Sequence, residues 1–271
     1  MVINPLKKAK LLNFFNKNSQ NVLRYFIFKA IYSQPEILPN QKPLPIHVPK
    51  EHIEQWLVQC LGADPVGSGS YPVDIIHKKS KFGADAKMLS WDGKQNSLSG
   101  ETSMGQNFKD IGNNLDSAFS SKNFSTIISD WSKLLIHKYD KVFSEYTFVK
   151  NIYYFFIIRE QNNFHIFGMR VDTKSLGKMA EKRHTDNSVW IENMIDSKYG
   201  EVRIYKAKKR MELRLYPYQW IKENIKISFY NENLSPQQKH LLSLTEKQLF
   251  EHSKSNYFLL SNDLLISPKK K

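Results

Sequence analysis

Cysteine and long apolar runs are what the 271-residue chain has least of. The single cysteine, Cys60, excludes an internal disulfide framework and a zinc site built from cysteines. No apolar run reaches the roughly 18 residues of a membrane span, and the longest one, Ile152 to Ile158, has the length of a strand. The N-terminus lacks an apolar core long enough for a signal peptide. We therefore expect a cytoplasmic protein with no membrane partner.

A phosphate-binding loop of the GxxxxGK type is also missing, and the eight histidines form no metal-binding motif. Positive charge is what the chain has in excess, with 40 Lys and Arg against 26 Asp and Glu, a formal net charge of +14. An excess of this size suits a polyanionic partner, because cation–phosphate contacts release counterions. Composition alone fits a merely basic soluble protein equally well.

Helical periodicity dominates the first 62 residues. Residues 10–33 are predicted to be helical, and the five prolines between Pro35 and Pro49 then exclude a regular element. From Lys50 to Leu61 the apolar residues recur at helical spacing, and Gly62 stands where such a helix would end.

Two pairs of strands follow, separated by a long helical region. The predicted pairs are Val73 to Lys78 with Gly83 to Leu89, and Ile152 to Arg159 with Phe164 to Val171. The region from about Gln106 to Lys138 is predicted to be helical, with Ser120 as the candidate break, and Ser235-Pro236 predicts a last helix to about His252. This order indicates an α/β chain of the α+β kind with one central sheet.

Three charged residues on the first strand pair suggest a chemical site. Asp85 and Lys87 are two residues apart and face the same side of a strand, and a hairpin would bring Asp74 to them. Carboxylates suit Mg²⁺, which could lower the pKa of a bound water, while Lys87 could orient or help deprotonate that water. The same three charges could also form a purely structural ion-pair cluster.

Context, rather than the motif itself, distinguishes this site. An acidic residue followed two positions later by lysine occurs four times, at Asp85, Asp92, Asp172 and Asp196. Of these four residues, only Asp85 follows an apolar strand that contains the segment Pro72-Val73-Asp74.

The stretch resembles the PD-(D/E)XK nuclease superfamily, and most of all its type II restriction endonucleases. The matching residues are Pro72, Asp74, Asp85, Ala86 and Lys87, and the flanking segments GSGSYP and SGETSMGQNF look similar as well. The resemblance covers about residues 50–172, and the superfamily core has the same order of helix, strand hairpin, helix and strand. Val73, between the proline and the first aspartate, departs from the family pattern, in which this proline is often replaced or displaced.

The resemblance implies a set of metal ligands. Asp74, Asp85 and the Ala86 carbonyl would bind Mg²⁺, and Lys87 would position the attacking water. Some members add an acid from the preceding helix, which makes Glu54 a candidate ligand here, with a solvated helix acid as the alternative.

The resemblance also implies a fold and a function. We expect a restriction-endonuclease-like core with a central mixed β-sheet flanked by helices at 49–175, an N-terminal helical segment and connector at 1–48, and a basic region at 176–271 for DNA recognition or dimerisation. The activity would be Mg²⁺-dependent hydrolysis of double-stranded DNA at a short palindromic site, by a homodimer paired with a cognate DNA methyltransferase. The alternatives are a repair or mobile-element nuclease and a non-catalytic basic DNA-binding protein.

Two further groups are candidates for DNA contact. Ser103 and Gln106 lie in a loop predicted to enter the long helix, where they could hold phosphate or simply form a capping box. The second group lies in a tyrosine-containing basic segment and comprises Arg203, Lys206, Lys208, Lys209, Arg210 and Arg214. Its alternative is a solvated basic face, and the shorter patch Lys182 to His184 is equally ambiguous.

Overall fold

The computed structural model describes residues 1–34, 40, 42, 46–66, 71–106 and 115–230. This part of the chain is mixed α/β, with two sheets and several helices, which is compatible with the predicted α+β class. The prediction of one central sheet is corrected, because residues 102–106 and four strands between residues 180 and 215 form a second sheet. No helix within it is both long enough and apolar enough to cross a membrane. The helix predicted from Ser235, most of the proline-rich connector and residues 107–114 lie outside the described residues.

The strands, in chain order, are β1 (Ile3–Pro5), β2 (Asp64–Pro65), β3 (Ile75–His77), β4 (Phe82–Trp91), β5 (Thr102–Gln106), β6 (Asn151–Glu160), β7 (Asn163–Val171), β8 (Ala180–Thr185), β9 (Ser188–Glu192), β10 (Gly200–Tyr205), β11 (Arg210–Leu215) and β12 (Ile227–Phe229). The helices are α1 (Lys8–Phe14), α2 (Lys17–Tyr32), α3 (Ile53–Leu61), α4 (Leu115–Ser120), α5 (Phe124–Glu145) and α6 (Pro217–Lys222). Two 3-10 helices, Lys50–His52 and Thr173–Lys178, complete the described elements.

The first sheet is mixed and has the order β1-β7-β6-β4-β3-β2, with β12 also paired to β7. Both predicted strand pairs are present, β3 with β4 and β6 with β7, and each is antiparallel. The central pair, β4 and β6, is parallel over ten residues of each strand. Strand β6 is apolar on both sides because both faces of the sheet are covered.

Helices cover one face of this sheet, and helices together with the second sheet cover the other. Leu23 and Ile27 of α2, with Trp56 and Leu57 of α3, pack beneath one face of the sheet. A second cluster of buried side chains fills the opposite side of the sheet. It includes Ile127 and Trp131 of α5, Phe156 and Phe167 of the first sheet, Ile204 of β10, Leu213 of β11 and Trp220 of α6.

The second sheet is antiparallel, with the order β5-β11-β10-β9-β8. Along β10, Val202 and Ile204 are buried, whereas Glu201, Arg203 and Tyr205 on the alternate positions are partly exposed. One face of this sheet therefore packs on the core, and the other carries charged and aromatic groups.

Two helix predictions are sharpened by the structure. The helix predicted over 10–33 is divided into α1 and α2, because the Asn16 side chain accepts a hydrogen bond from the Ser19 N–H at 3.0 Å and caps the second helix. The break near Ser120 is confirmed: α4 ends there, Lys122 is left-handed with φ of 55°, and Asn123 caps α5.

The predicted local structure of Ser103 and Gln106, a loop that enters a helix, is wrong. They do not lead into a helix, since both belong to strand β5, which pairs antiparallel with β11. A helix beginning at Gln106 with Ser103 in a capping box is therefore excluded. The strand partner lies about 100 residues further along the chain, so the local residues carry no sign of it.

Candidate active site

Strand pairing brings the first aspartate to the second. The Asp74 N–H donates a hydrogen bond to the Ala84 carbonyl at 2.9 Å, and Ile75 pairs with Ala84, so that Asp74 lies opposite Asp85. On β4 the residues at even positions, such as Ala84 and Ala86, pack against the α2–α3 side. Asp85 and Lys87 therefore point to the other face, as the alternation of strand side chains requires.

The three charged side chains of the sequence-predicted site are in contact. The Lys87 Nζ lies 2.5 Å from Asp85 Oδ1 and 3.2 Å from Asp74 Oδ2. The Asp74 Oδ2 also accepts a hydrogen bond from the Ala86 N–H at 2.8 Å. The backbone of Ala86 thus contributes a donor that fixes the Asp74 carboxylate, and its carbonyl is the group that the resemblance assigns to a metal.

The pKa values of the two aspartates are shifted in opposite directions. Burial raises the pKa of Asp85 well above its ordinary value, and the neighbouring Asp74 raises it further, against the opposing effect of Lys87. Burial would raise the pKa of Asp74 as well, but hydrogen bonding to Asp85, the charge of Lys87 and the Ala86 N–H lower it overall. Burial acts to lower the pKa of Lys87, yet both carboxylates together raise it. A proton on Asp85 therefore relieves the repulsion between the carboxylates when no cation is bound.

These side chains line a cavity of about 280 Å³ between the two sheets and helices α3 and α5. Strand β5 contributes Ser103, Met104 and Gly105 to its wall. Other residues that line it were not identified from the sequence, namely Tyr71, Leu135, Lys138, Tyr139 and Tyr154. The cavity is partly open to solvent, and Asp74, Asp85 and Lys87 are among the residues that line it.

Two of the residues that sequence reasoning missed form a buried hydroxyl pair. The Tyr139 and Tyr154 hydroxyl oxygens are 2.8 Å apart. Tyr154 is the register partner of Asp85 across the parallel strands, so its ring lies beside the acid. In the sequence, both tyrosines fall on ordinary apolar patterns of a helix and a strand, and nothing local distinguishes them from core aromatics.

The oxygen groups at this site fit a hard divalent cation. Two carboxylates converge, and Mg²⁺ commonly takes one or two protein carboxylates while keeping several waters. Glu54 also lines the cavity, and burial and the charge of Asp74 raise its pKa. A ready-made cluster of three or more His, Cys, Asp or Glu ligands is not found among the described residues.

The residues expected to contact DNA are all on the second sheet or in its turns, and only Ser103 among them lines the cavity. Ser103 lines the cavity, and Gln106 at the end of β5 is paired with Arg210. The basic residues of β10, of β11 and of the turn between them form ion pairs with two glutamates while staying partly exposed. Arg203, Lys208 and Arg210 contact Glu101 and Glu212, and Arg214 contacts Glu101. Lys209 pairs with Asp116 at 3.2 Å, and Lys206 lies over the Phe119 ring.

Comparisons of the chain with protein-family models, with curated proteins and with solved structures found no match.

Proposed function

We propose that this protein is a Mg²⁺-dependent endonuclease of the type II restriction kind, with a restriction-endonuclease-like core that hydrolyses phosphodiester bonds in double-stranded DNA. The observation that carries the proposal is the convergence of Asp74, Asp85 and Lys87 in a cavity that is partly open to solvent. Two acids and an ammonium group are what phosphodiester hydrolysis assisted by a metal ion requires.

Each residue has a defined part in this chemistry. Asp74 and Asp85 would hold the cation, which supplies charge neutralisation and a more acidic water when bound. Lys87 can donate hydrogen bonds to a phosphate oxygen and to the water, which offsets the negative charge that accumulates on the phosphate during attack. The Ala86 N–H keeps the Asp74 carboxylate turned toward Lys87. Glu54, on the wall of the same cavity, is the candidate for an additional ligand.

The biological setting follows from the chemistry. A chain with one active site must act twice to cut both strands, and a homodimer on a palindromic site does so with the same contacts on each strand. An enzyme of this kind would cut its own host's DNA, so we expect a cognate DNA methyltransferase to act with it. These partners remain part of the proposal, as does a cytoplasmic location.

Cleavage of long DNA tests the proposal directly. Purified protein with plasmid or phage DNA and Mg²⁺ should give discrete fragments with a common sequence at their ends. Substitution of Asp85→Ala or Lys87→Ala should reduce the rate at least 100-fold while DNA binding persists. Lys94→Ala is the matched control, because Lys94 follows an aspartate at the same spacing but is 81% exposed on a turn. Undiminished cleavage by either active-site variant would overturn the site assignment.

The alternatives predict different products. A repair or mobile-element nuclease of the same superfamily would give nicks or a smear of lengths. A DNA-binding protein without catalysis is favoured by the contacts of Lys87 with both carboxylates, which would suit a structural cluster. It predicts no cleavage by the wild-type chain at any Mg²⁺ concentration.

A further inference from the structure

The outer face of the second sheet carries arginines and aromatic rings that alternate across the strands. Trp190 and Arg203 are register partners on β9 and β10, and Arg183 of β8 pairs with Trp190 on its other side. The Arg183 guanidinium lies 3.7 Å from the centre of the Trp190 ring, and Arg203 is 5.9 Å from it. Arg203 also lies 5.1 Å from the centre of the Tyr205 ring. We call this surface, with Arg210 and Arg214 of β11, the arginine platform.

A fully buried carboxylate holds the centre of the platform. Glu212 has no exposed surface, and its Oε2 accepts hydrogen bonds from Arg203 Nε at 3.2 Å and Nη2 at 3.1 Å. Its Oε1 accepts from Arg210 Nε at 2.8 Å. A buried carboxylate bonded to two guanidinium groups fixes their planes, because charge-assisted bonds of this geometry are both strong and directional.

A second carboxylate, that of Glu101, holds Arg210 and Arg214 at the edge of the platform next to β5. Glu101, just before β5, accepts a hydrogen bond from Arg210 Nη2 at 2.5 Å, lies 3.6 Å from Arg214 Nη2, and also binds Lys208. The hydrogen bonds of Arg203 and Arg210 thus use Nε and Nη2, and Nη1 of either arginine is not hydrogen-bonded to any described residue. Each guanidinium therefore retains donors at a fixed orientation.

The small net charge of the platform favours contacts with DNA bases over general binding to phosphates. Five cations (Arg183, Arg203, Lys208, Arg210 and Arg214) are set against three carboxylates (Glu101, Glu201 and Glu212), which leaves a net charge of only +2. Binding to phosphates in general depends on positive charge that is free to neutralise them, whereas the cations of this surface are already paired with carboxylates. Fixed guanidinium groups instead suit base edges, where bidentate arginine contacts to guanine are the commonest specific contacts.

The platform continues into the catalytic cavity. Ser103 of β5 is the register partner of Glu212, and Ser103 lines the cavity that contains Asp74 and Asp85. A duplex bound across the platform would therefore lie next to this cavity at strand β5, and β-strands of DNA-binding proteins are known to enter the grooves of DNA.

We propose that the arginine platform reads the base sequence of duplex DNA, and that Glu101 and Glu212 are positioning residues that set its specificity by orienting the arginines. This inference rests on the proposed function, since it names the surface that selects the substrate of the candidate site. If the glutamates act only through their charge, or instead by orienting the arginines, their removal should have opposite effects on DNA binding. Removing a negative charge should strengthen binding to any DNA, whereas releasing the arginines should weaken binding to the preferred sequence.

The test separates recognition from cleavage. The Asp85→Ala chain is used to select duplexes from a randomised pool in Mg²⁺, and the enriched sequence is compared with that from Asp85→Ala combined with Glu101→Gln. The control is Asp85→Ala combined with Glu192→Gln, which removes the same amount of negative charge. Glu192 lies on the same face of β9 as Trp190, is exposed, and makes no ion pair with a described residue.

We expect Glu101→Gln to lower the affinity for the enriched duplex about tenfold or more, while the affinity for random duplex stays equal or rises. Glu192→Gln should leave the enriched sequence unchanged. Arg203→Lys keeps the charge but loses the planar fork of donors, so it should also weaken enrichment without a change in the salt dependence of binding. This third variant keeps the test decisive if Glu101→Gln lowers the unfolding temperature.

Two results would overturn the inference. One is an unchanged enriched sequence in both Glu101→Gln and Arg203→Lys, and the other is no enrichment by the Asp85→Ala chain itself. In either case cleavage of plasmid DNA by the wild-type protein would still decide the proposed nuclease function separately.

Discussion

At the level of a single side chain, burial of Asp85 sets the stability of the folded protein against the proposed role of this carboxylate as a metal ligand. Burial and the charge of Asp74 raise its pKa in the folded protein. A carboxyl group with a raised folded pKa contributes stability that is fully present below its unfolded pKa of about 3.9 and is lost as pH rises through the folded pKa. At neutral pH without a metal, the wild-type chain therefore bears an electrostatic cost at this position. Functional sites commonly carry such a cost.

Asp85→Asn should therefore stabilise the metal-free protein at pH 7, by about 1 kcal/mol, while it abolishes cleavage. The gain should shrink as the pH is lowered toward 4, because the carboxyl is then increasingly protonated in the unfolded wild-type chain as well as in the folded one. Urea unfolding in EDTA across this pH range measures both effects. Asp64→Asn is the control, since its exposed ion pair with Lys78 should contribute less than about 1 kcal/mol at any pH. A variant less stable than wild type at pH 7 would contradict this electrostatic assignment.

The residues that could be predicted from the sequence are those whose partners are local. Asp74, Asp85 and Lys87 lie within 14 residues, and strand alternation with a tight hairpin was enough to bring them together. The partners of the arginines could not be found in this way, because Glu101 is 109 residues from Arg210. From its sequence, the basic segment is therefore interpreted as a solvated or DNA-binding surface, without its buried counter-charges.

At the level of elements, the end of α3 depends on one backbone conformation. Gly62 has φ of 64° and ψ of 41°, in the left-handed region, and its N–H donates to the Gln59 carbonyl. An added Cβ would meet nothing within 4 Å, so any cost of a side chain there arises from the backbone rather than from a clash.

Gly62→Ala should reduce the free energy of unfolding by about 1 kcal/mol, the cost of placing an alanine in the left-handed region. Gly177→Ala is the matched control, because an added Cβ at Gly177 would also meet open space, but Gly177 does not have a positive φ. Thermal or urea denaturation of the two variants gives the comparison. An equal loss in both would mean that backbone conformation at the end of α3 is not the cause.

Elements with strong periodicity were predicted well, and an element defined by a distant partner was not. Strands β4, β6 and β7 follow from short apolar runs bounded by turn residues, and the stripe of α3 follows from helical spacing. Strand β5 is short and contains serine and glycine, and its strand conformation comes from pairing with β11. Propensity is weak in so short a segment, and pairing with a distant strand determines its conformation.

At the level of the whole molecule, one buried cluster joins the first sheet to the region beyond residue 175. Trp220 is fully buried and stacks on Phe167 of β7, with ring centres 4.8 Å apart. Its Nε1 donates to the Tyr199 carbonyl at 2.9 Å, which ties α6 to the second sheet as well. The cavity is lined by strands from both sheets, so the candidate site exists only when the two are docked.

We therefore expect the described region to unfold as one unit, even though it has two sheets. Trp220→Ala should lower the free energy of unfolding by about 4 kcal/mol, from lost burial and the cavity left behind. Far-UV circular dichroism, which follows the helices, and tryptophan fluorescence should report the same transition midpoint in the wild-type chain and again in the variant. A fragment ending at residue 175 should fail to fold, because it leaves Phe167 and its neighbours uncovered. Two separated transitions, or a stable fragment, would show instead that Asp74 and Asp85 of the candidate site and the arginine platform belong to independently folding units.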